Sequence, residues 1–321
     1  MSDDYLHVVD DHVGAAVETT KYNEESLNQG DYLGYLVEEI EWPNPNPQGP
    51  LPHKGTKRGP YAHAPEAKSY EWDIEVVPID STIPLEIALG TRTESTVDTD
   101  GDSADEYQEV VFTEAAKLST ATIRRVQTDL SLAQSYIGTK TGLNISWALN
   151  EPLSITFNCV AARMNYDTNP PSPPDLDPPV KAPFMGWMLG SATIDGQEFA
   201  TIEGGDVSVD HGLESVPGGD GGREGHYVSE ETGAELFDAS LSMTVTDTYL
   251  FEKVATDGAL FDVEAPLHRD RTNDPVHDAF ILTLGDNKAL DAPVSSPDEG
   301  RVVDDVELSP KSIQIEIRDP L

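Results

Sequence analysis

"TKTGLNISWALNEPLSITFNCVAAR", residues 139–163, carries the most regular pattern in the chain. Leu143, Ile145, Trp147 and Leu149 alternate with Asn144, Ser146 and Ala148. After a break at Asn150, Glu151 and Pro152, Leu153, Ile155, Phe157 and Cys159 alternate with Ser154, Thr156 and Asn158. Strict alternation specifies two half-buried strands, and the short break between them specifies a hairpin. The other face is unusual. Charged residues make up 25% of the chain, yet this polar face carries no charge within either strand.

The same reading extends outward. Residues 1–30 are polar and weakly patterned and read as an N-terminal arm. "YLGYLVEEIEW" (32–42) reads as a strand. The Pro/Gly-rich stretch after it, to residue 65, reads as a loop that holds no ladder. Lys54, Lys57 and Arg58 cluster in that loop and are candidates for contact with a neighbour's acidic surface. Tyr70, Trp72, Ile74 and Val76 alternate with Glu71, Asp73 and Glu75, a strand with an ordinary wet face. "IPLEIALG" (83–90) reads as a short helix stopped by Gly90. An acidic loop, the strands "EVVFTE" and "ATIRRVQ" and the opening hairpin complete a β-rich unit over 31–163.

Residues 164–183 hold seven prolines in twenty and read as a stiff connector. A second β-rich unit follows over 184–321, with short strands at glycine turns and a mobile loop "GGDGGREGHYVSEETG". Its strand near 240 points Leu241, Met243 and Val245 inward and presents Ser240, Ser242, Thr244 and Thr246 on the other side, again uncharged. "FILTLGDNKALDAPV" and "KSIQIEIRD" supply further strands. The segment beginning at Gly55 parallels the one beginning at Gly222: glycine-basic loop, alternating strand, short helix, glycine. That is a faint internal repeat.

Twenty Lys and Arg stand against 59 Asp and Glu, a net charge of -39 spread along the whole length. With 37% hydrophobic residues this is a folded chain with a carboxylate-coated surface. Such a surface suits molar salt, where the Debye length is about 3 Å, and implies a halophilic source. It argues against gripping nucleic acid. The single cysteine, Cys159, excludes an internal disulfide. No apolar run reaches the roughly 20 residues of a membrane span, and the acidic start lacks the basic-then-apolar order of a secretory signal. The expectation is assembly inside the host cell, away from membranes.

Chemical motifs are scarce. There is no G-x-S-x-G, no phosphate-cradling glycine loop and no H-E-x-x-H, and with 59 carboxylates no catalytic pair can be nominated. "DTDGDSADEYQE" sets Asp98, Asp100, Asp102 and Glu109 at calcium-loop positions one, three, five and twelve. Ser103 replaces the glycine that such a loop needs at position six, and strand, not helix, follows. Ca2+ is the one ion the motif admits, and no cofactor is required.

Residues 118–163 resemble the tail tube proteins of long-tailed viruses, through Tyr136, Gly138, the 143–149 strand and Glu151-Pro152-Leu153. "IPLEIALG" is similar to the short helix those proteins carry upstream, and residues 185–212 to their second-half strands. The resemblance implies a mainly β fold: tandem sandwich- or barrel-like tube domains, each with a short helix, in a ring with a continuous inner β-barrel. Rings stack into a hollow tail through which viral DNA passes, with other tail proteins as partners and no catalysis. Asn144, Ser146, Ser154, Thr156, Asn158, Ser240, Ser242, Thr244 and Thr246 would then line the lumen or a subunit seam, where a wettable, uncharged wall holds nothing. Three chains close the ring with pseudo-sixfold symmetry if the repeat is real, six if it is not. The rivals are a β-sandwich module that binds a host glycan and an acidic carbohydrate-active enzyme.

Overall fold

The computed structural model of the chain describes residues 11–27, 35–36, 40–43, 48–51, 62–65, 68–77, 83–98, 101, 106–127, 131–148, 151–168, 183–185, 192–198, 201–217, 225–230, 237–244, 260–269, 278–291 and 303–320. The first part of the chain supplies β1 (Asp11–Val17), β2 (Tyr35–Leu36), β3 (Gln48–Leu51), β4 (Ala62–Pro65), β5 (Tyr70–Val77), α1 (Ile83–Leu89), β6 (Gly90–Val97) and β7 (Tyr107–Glu114). Next come β8 (Ala121–Gln127), β9 (Leu132–Ala148), β10 (Ser154–Ala161) and β11 (Arg163–Asp167). Beyond the proline-rich stretch lie β12 (Thr193–Ile194), β13 (Gln197–Glu198), β14 (Thr201–Val209), β15 (Glu214–Pro217) and β16 (Gly225–Ser229). The last five are β17 (Phe237–Thr244), β18 (Phe261–His268), β19 (Ala279–Asp291), β20 (Val303–Ser309) and β21 (Ser312–Pro320). The fold is mainly β.

Where the sequence alternates, the strands follow. Tyr70, Trp72, Ile74 and Val76 of β5 are buried, as are Leu143, Ile145 and Trp147 of β9 and Ile155, Phe157 and Cys159 of β10. The hairpin forms in the expected register, with Phe157 opposite Leu143 and Ile155 opposite Ile145. The helix begins with Pro84 in its first turn, where the missing N–H costs nothing, and stops at Gly90 with φ at +88°.

The differences have physical reasons. Residues 11–17 are not a loose arm: β1 pairs with β8 and buries Val13 and Ala15. The Pro/Gly-rich stretch does hold a ladder, β3 with β4, in which Pro50 faces His63 and Pro65 faces Gln48. A two-stranded ribbon leaves alternate N–H groups pointing outward, so proline is tolerated there. The expected acidic loop contains β6, exposed along its length, where no apolar face announces a strand. β9 starts eleven residues before the quoted alternation (Leu132 against Leu143), because its first half is covered on both faces. The connector begins later than expected, since Met164–Asp167 belong to β11, and the expected mobile loop contains β16.

Sheet topology is repetitive. One ladder runs β2–β5–β10–β9 and another runs β14–β17–β20–β19, all antiparallel. A second pair of ladders runs β1–β8–β9–β11 and β12–β18–β19–β21. β9 and β19 are thus equivalent long strands, each bent so that its first half serves one ladder and its second half another. The bends match in detail. Gly138 (φ 67°) and Asp286 (φ 51°) both turn left-handed. The bulge between Ala121 and Ile123 recurs between Phe261 and Val263, and the bond from Ala162 N to Ile137 O recurs from Lys311 N to Gly285 O. Each bend amide donates to a buried or bridging carboxylate: Gly138 N to Glu18 Oε1 at 2.7 Å, Asp286 N to Asp262 Oδ1 at 2.8 Å. β6 and β7 have no counterpart among the described residues; they extend from the first half onto β21 of the second. One apolar core runs from Val13 to Ile317 and serves both halves.

Candidate assembly face and internal seam

The two halves meet edge to edge. β9 from Leu143 to Ala148 pairs with β14 from Val209 back to Gly204, so the two four-stranded ladders form one sheet. Ile145 and Val207 are fully buried at this join. Gly205 has no side chain because the Trp147 ring occupies the space, with its nearest atom 2.4 Å from where a Cβ would stand. His211, just past β14, is buried and donates from Nε2 to the Ala88 carbonyl at 2.9 Å, which ties the helix of the first half to the second.

Alternation puts one face of this sheet into the core and leaves the other open. Across the open face run cross-strand rows. Glu75, Thr156, Asn144, Ser208 and Asp238 form one; Ser154, Ser146, Asp206, Ser240 and Glu307 form the next. Six of the residues nominated from sequence, Asn144, Ser146, Ser154, Thr156, Asn158 and Ser240, therefore share one continuous surface. Ser242 and Thr244 continue β17 in the ladder. Thr246 lies outside the described residues, as do Lys54, Lys57, Arg58, Asp100 and Asp102.

The surface is neutral only at the hairpin. Glu71, Asp73 and Glu75 stand on one side of it and Asp206, Asp238 and Glu307 on the other. The hydroxyl of Ser154 donates to Glu75 Oε1 at 2.7 Å and the amide of Asn158 to Asp73 Oδ1 at 2.9 Å, so the neutral residues hydrogen-bond the acidic ones. β5, β10, β14, β17, β20 and β9 beyond Gly142 contain no lysine or arginine. What read as an ordinary wet face on β5 and an uncharged face on the hairpin are one wall, acidic and hydroxylated, with no cation in these strands.

At one end of this wall the β15–β16 ribbon folds back over the first half. Val228 packs on Val160 and Ala162, all buried, with Tyr22 and Leu213 alongside. Lys140 is 5% exposed and its Nζ lies 3.2 Å from Glu230 Oε2, which also accepts the Leu118 amide. Burial lowers the Lys140 pKa, and Glu230 opposes that shift. Cys159, fully enclosed, has its thiol pushed well up by burial, which makes it a packing residue and not a nucleophile.

Of the calcium-loop residues, Asp98 and Glu109 are among the described ones. Asp98 Oδ1 accepts the Gly101 amide at 2.7 Å in a tight turn. Glu109 lies within β7 opposite Ser95, whose hydroxyl donates to it at 3.3 Å. No group of three or more His, Cys, Asp or Glu suited to an ion occurs among the described residues. Sequence reasoning missed Lys140, Glu230 and the carboxylate flanks; the signal for the lysine was scarcity, one of 20 basic residues inside an apolar strand.

The fold is thus a β-protein whose sheet is joined to its own repeat, with outer edges at β2 and at the end of β19 among the described residues. Residues 61–274 match the family described as phage tail tube protein, and the chain belongs to that family. No curated protein matches it. It is a structural protein of the virion tail, whose partners are its own copies and other tail proteins.

Proposed function

We propose that three copies close into a ring with pseudo-sixfold symmetry, and that the rings stack into the hollow tube that conducts viral DNA. The carrying observation is the internal seam. β9 meets β14 within the chain, and their equivalents in the repeat are β19 and β2, one at each end of the sheet. Repeating the same join between chains pairs β19 of one copy with β2 of the next. A head-to-tail contact of this kind closes a ring when its rotation allows. It also leaves no edge open to aggregation. Four strands from each of six halves, spaced about 4.8 Å apart and tilted about 40°, give a barrel roughly 50 Å across between backbones. That admits a DNA duplex with room for side chains.

The open wall faces the bore in this reading, and its residues suit the task. Carboxylates repel a passing polyanion, and the serine, threonine and asparagine rows of β9, β10, β14 and β17 between them stay wet without themselves offering a cation to hold phosphate. The tube domains are residues 31–163 and 184–321 joined by the proline-rich connector, with β1 completing the first. Assembly takes place in the host cytoplasm. The net charge of -39 supports a host that is a halophilic archaeon.

Electron microscopy of the purified chain across a series of salt concentrations tests this. Hollow tubes with threefold rings are expected at molar salt, falling apart at low salt. Solitary particles at every salt concentration sink the proposal.

A further inference from the structure

The two ribbons β3–β4 and β15–β16 occupy the same place in the repeat, each between the edge strand of a ladder and the strand beside it. Their surroundings differ. β15–β16 lies across β9 and β10 of the other half. β3–β4 pairs with itself and makes no more than glancing contact with any other described element.

The landing site of β15–β16 has an equivalent in the second half. Thr139 pairs with Ala121 at the bulge where Asn287 pairs with Phe261, so Lys140 corresponds to Lys288. Val160, opposite Lys140, corresponds to Ser309, opposite Lys288. Ala162 corresponds to Lys311 through their matching backbone bonds. In the first half these positions are covered: Lys140 is 5% exposed, Val160 8% and Ala162 1%. In the second half they are less covered: Lys288 is exposed, Ser309 is half-buried and the Lys311 side chain is 61% exposed. Two solvent-facing lysines here are conspicuous in a chain with 20 basic residues against 59 acidic ones.

We infer that the β3–β4 ribbon is an arm that docks on the Lys288–Ser309–Lys311 surface of the neighbouring copy, as β15–β16 docks on Lys140, Val160 and Ala162 within the chain. The inference rests on the ring proposed above and names its second contact, the clasp beside the strand seam. The internal contact supplies the template for geometry and chemistry alike: a ribbon laid across the bend of a long strand, next to a lysine. It also accounts for the exposure of the second site, since its occupant comes from another molecule.

Engineered cysteines test this in the full-length chain, because the native Cys159 is buried and leaves a clean background. Ala64 faces Gly49 in one ribbon as Val228 faces Ser215 in the other. A chain carrying both Ala64→Cys and Ser309→Cys is expected to cross-link between chains on mild oxidation and to run as a covalent trimer on a non-reducing gel. Each single variant is expected to remain uncross-linked. Tubes that form without the interchain disulfide overturn the docking and leave the ring standing, as does a disulfide formed within one chain. A wild-type chain that stays monomeric at every salt concentration overturns both. As a second arm, Lys288→Glu with Lys311→Glu is expected to abolish the cross-link and the tubes; tubes in undiminished yield would refute the inference.

Discussion

The two halves of this chain share a strand plan and differ in what occupies equivalent positions. At the bend of the long strand the first half has Gly138 beneath the Tyr22 ring, with the buried Glu18 carboxylate taking the amides of Gly138 and Tyr22 and the hydroxyls of Thr120 and Thr122. The second half has Asp286, exposed, capped by Asp262. The first half packs Trp42, Trp72, Tyr70 and Tyr136 into one aromatic cluster, with the Tyr136 pKa pushed up to about 12 by burial. The second half packs phenylalanines, Phe184 against Phe280 with centroids 5.7 Å apart, and encloses Arg269, which donates to Asp278 at 2.6 Å and Asp319 at 2.9 Å over the Phe184 ring. Backbone geometry is repeated; side chains follow local coverage. The half whose site is filled from within the chain has become an interior, and the other has kept a surface.

The sharpest way to break that contrast is to remove Glu230. Glu230→Ala strands Lys140 in an apolar enclosure and leaves the Leu118 amide without its acceptor. Denaturant unfolding is expected to show a loss of about 3–5 kcal/mol, the usual cost of breaking a buried pair from one side. Lys288→Ala, at the matching surface position, is expected to change stability of the isolated chain by less than about 0.5 kcal/mol. Equal losses at the two sites would erase the distinction.

The bends give a milder test. Gly138→Ala forces a Cβ to within 2.3 Å of the Tyr22 ring at a positive φ, and is expected to cost about 1–3 kcal/mol. Asp286→Ala meets the same φ without the ring, and its expected cost is about 1 kcal/mol. Melting curves of the two variants would rank them.

The smallest effect concerns pH. Burial raises the Glu316 pKa; Arg318 opposes the shift and nearby Glu109 reinforces it. A carboxyl whose folded pKa exceeds its unfolded value binds more protons in the folded state, so its contribution to stability falls as pH rises through the range between the two. Glu316→Gln is therefore expected to stabilise the chain at pH 7 relative to pH 4 when compared with wild type, read as the difference in midpoint denaturant at the two pH values. No pH dependence in that difference would show that Glu316 titrates alike in the folded and unfolded chain.

Strands with one wet face were legible in the sequence: β5, the β9–β10 hairpin and β21 all lie where alternation puts them. Strands lacking that contrast were not. β6 is wet on both sides, the first half of β9 is covered on both sides, and β3–β4 is interrupted by proline. Membership of the open wall was half legible. Local pattern tells that Ser146 and Asp206 each face outward on their own strands, but only the pairing of segments sixty residues apart (Ser146 with Asp206) makes them neighbours. The faint repeat between the Gly55 and Gly222 segments pointed at the ribbons and first strands. Its firmest marks, the paired bends and bulges, lie where the residues themselves differ.

The β6–β7 extension, found once among the described residues, gives the proposed ring two periodicities. In such a ring the strand seam would repeat six times per turn and the extension three times. A partner that recognised the extension would then register against the tube in only half the rotational settings that the seam alone would allow.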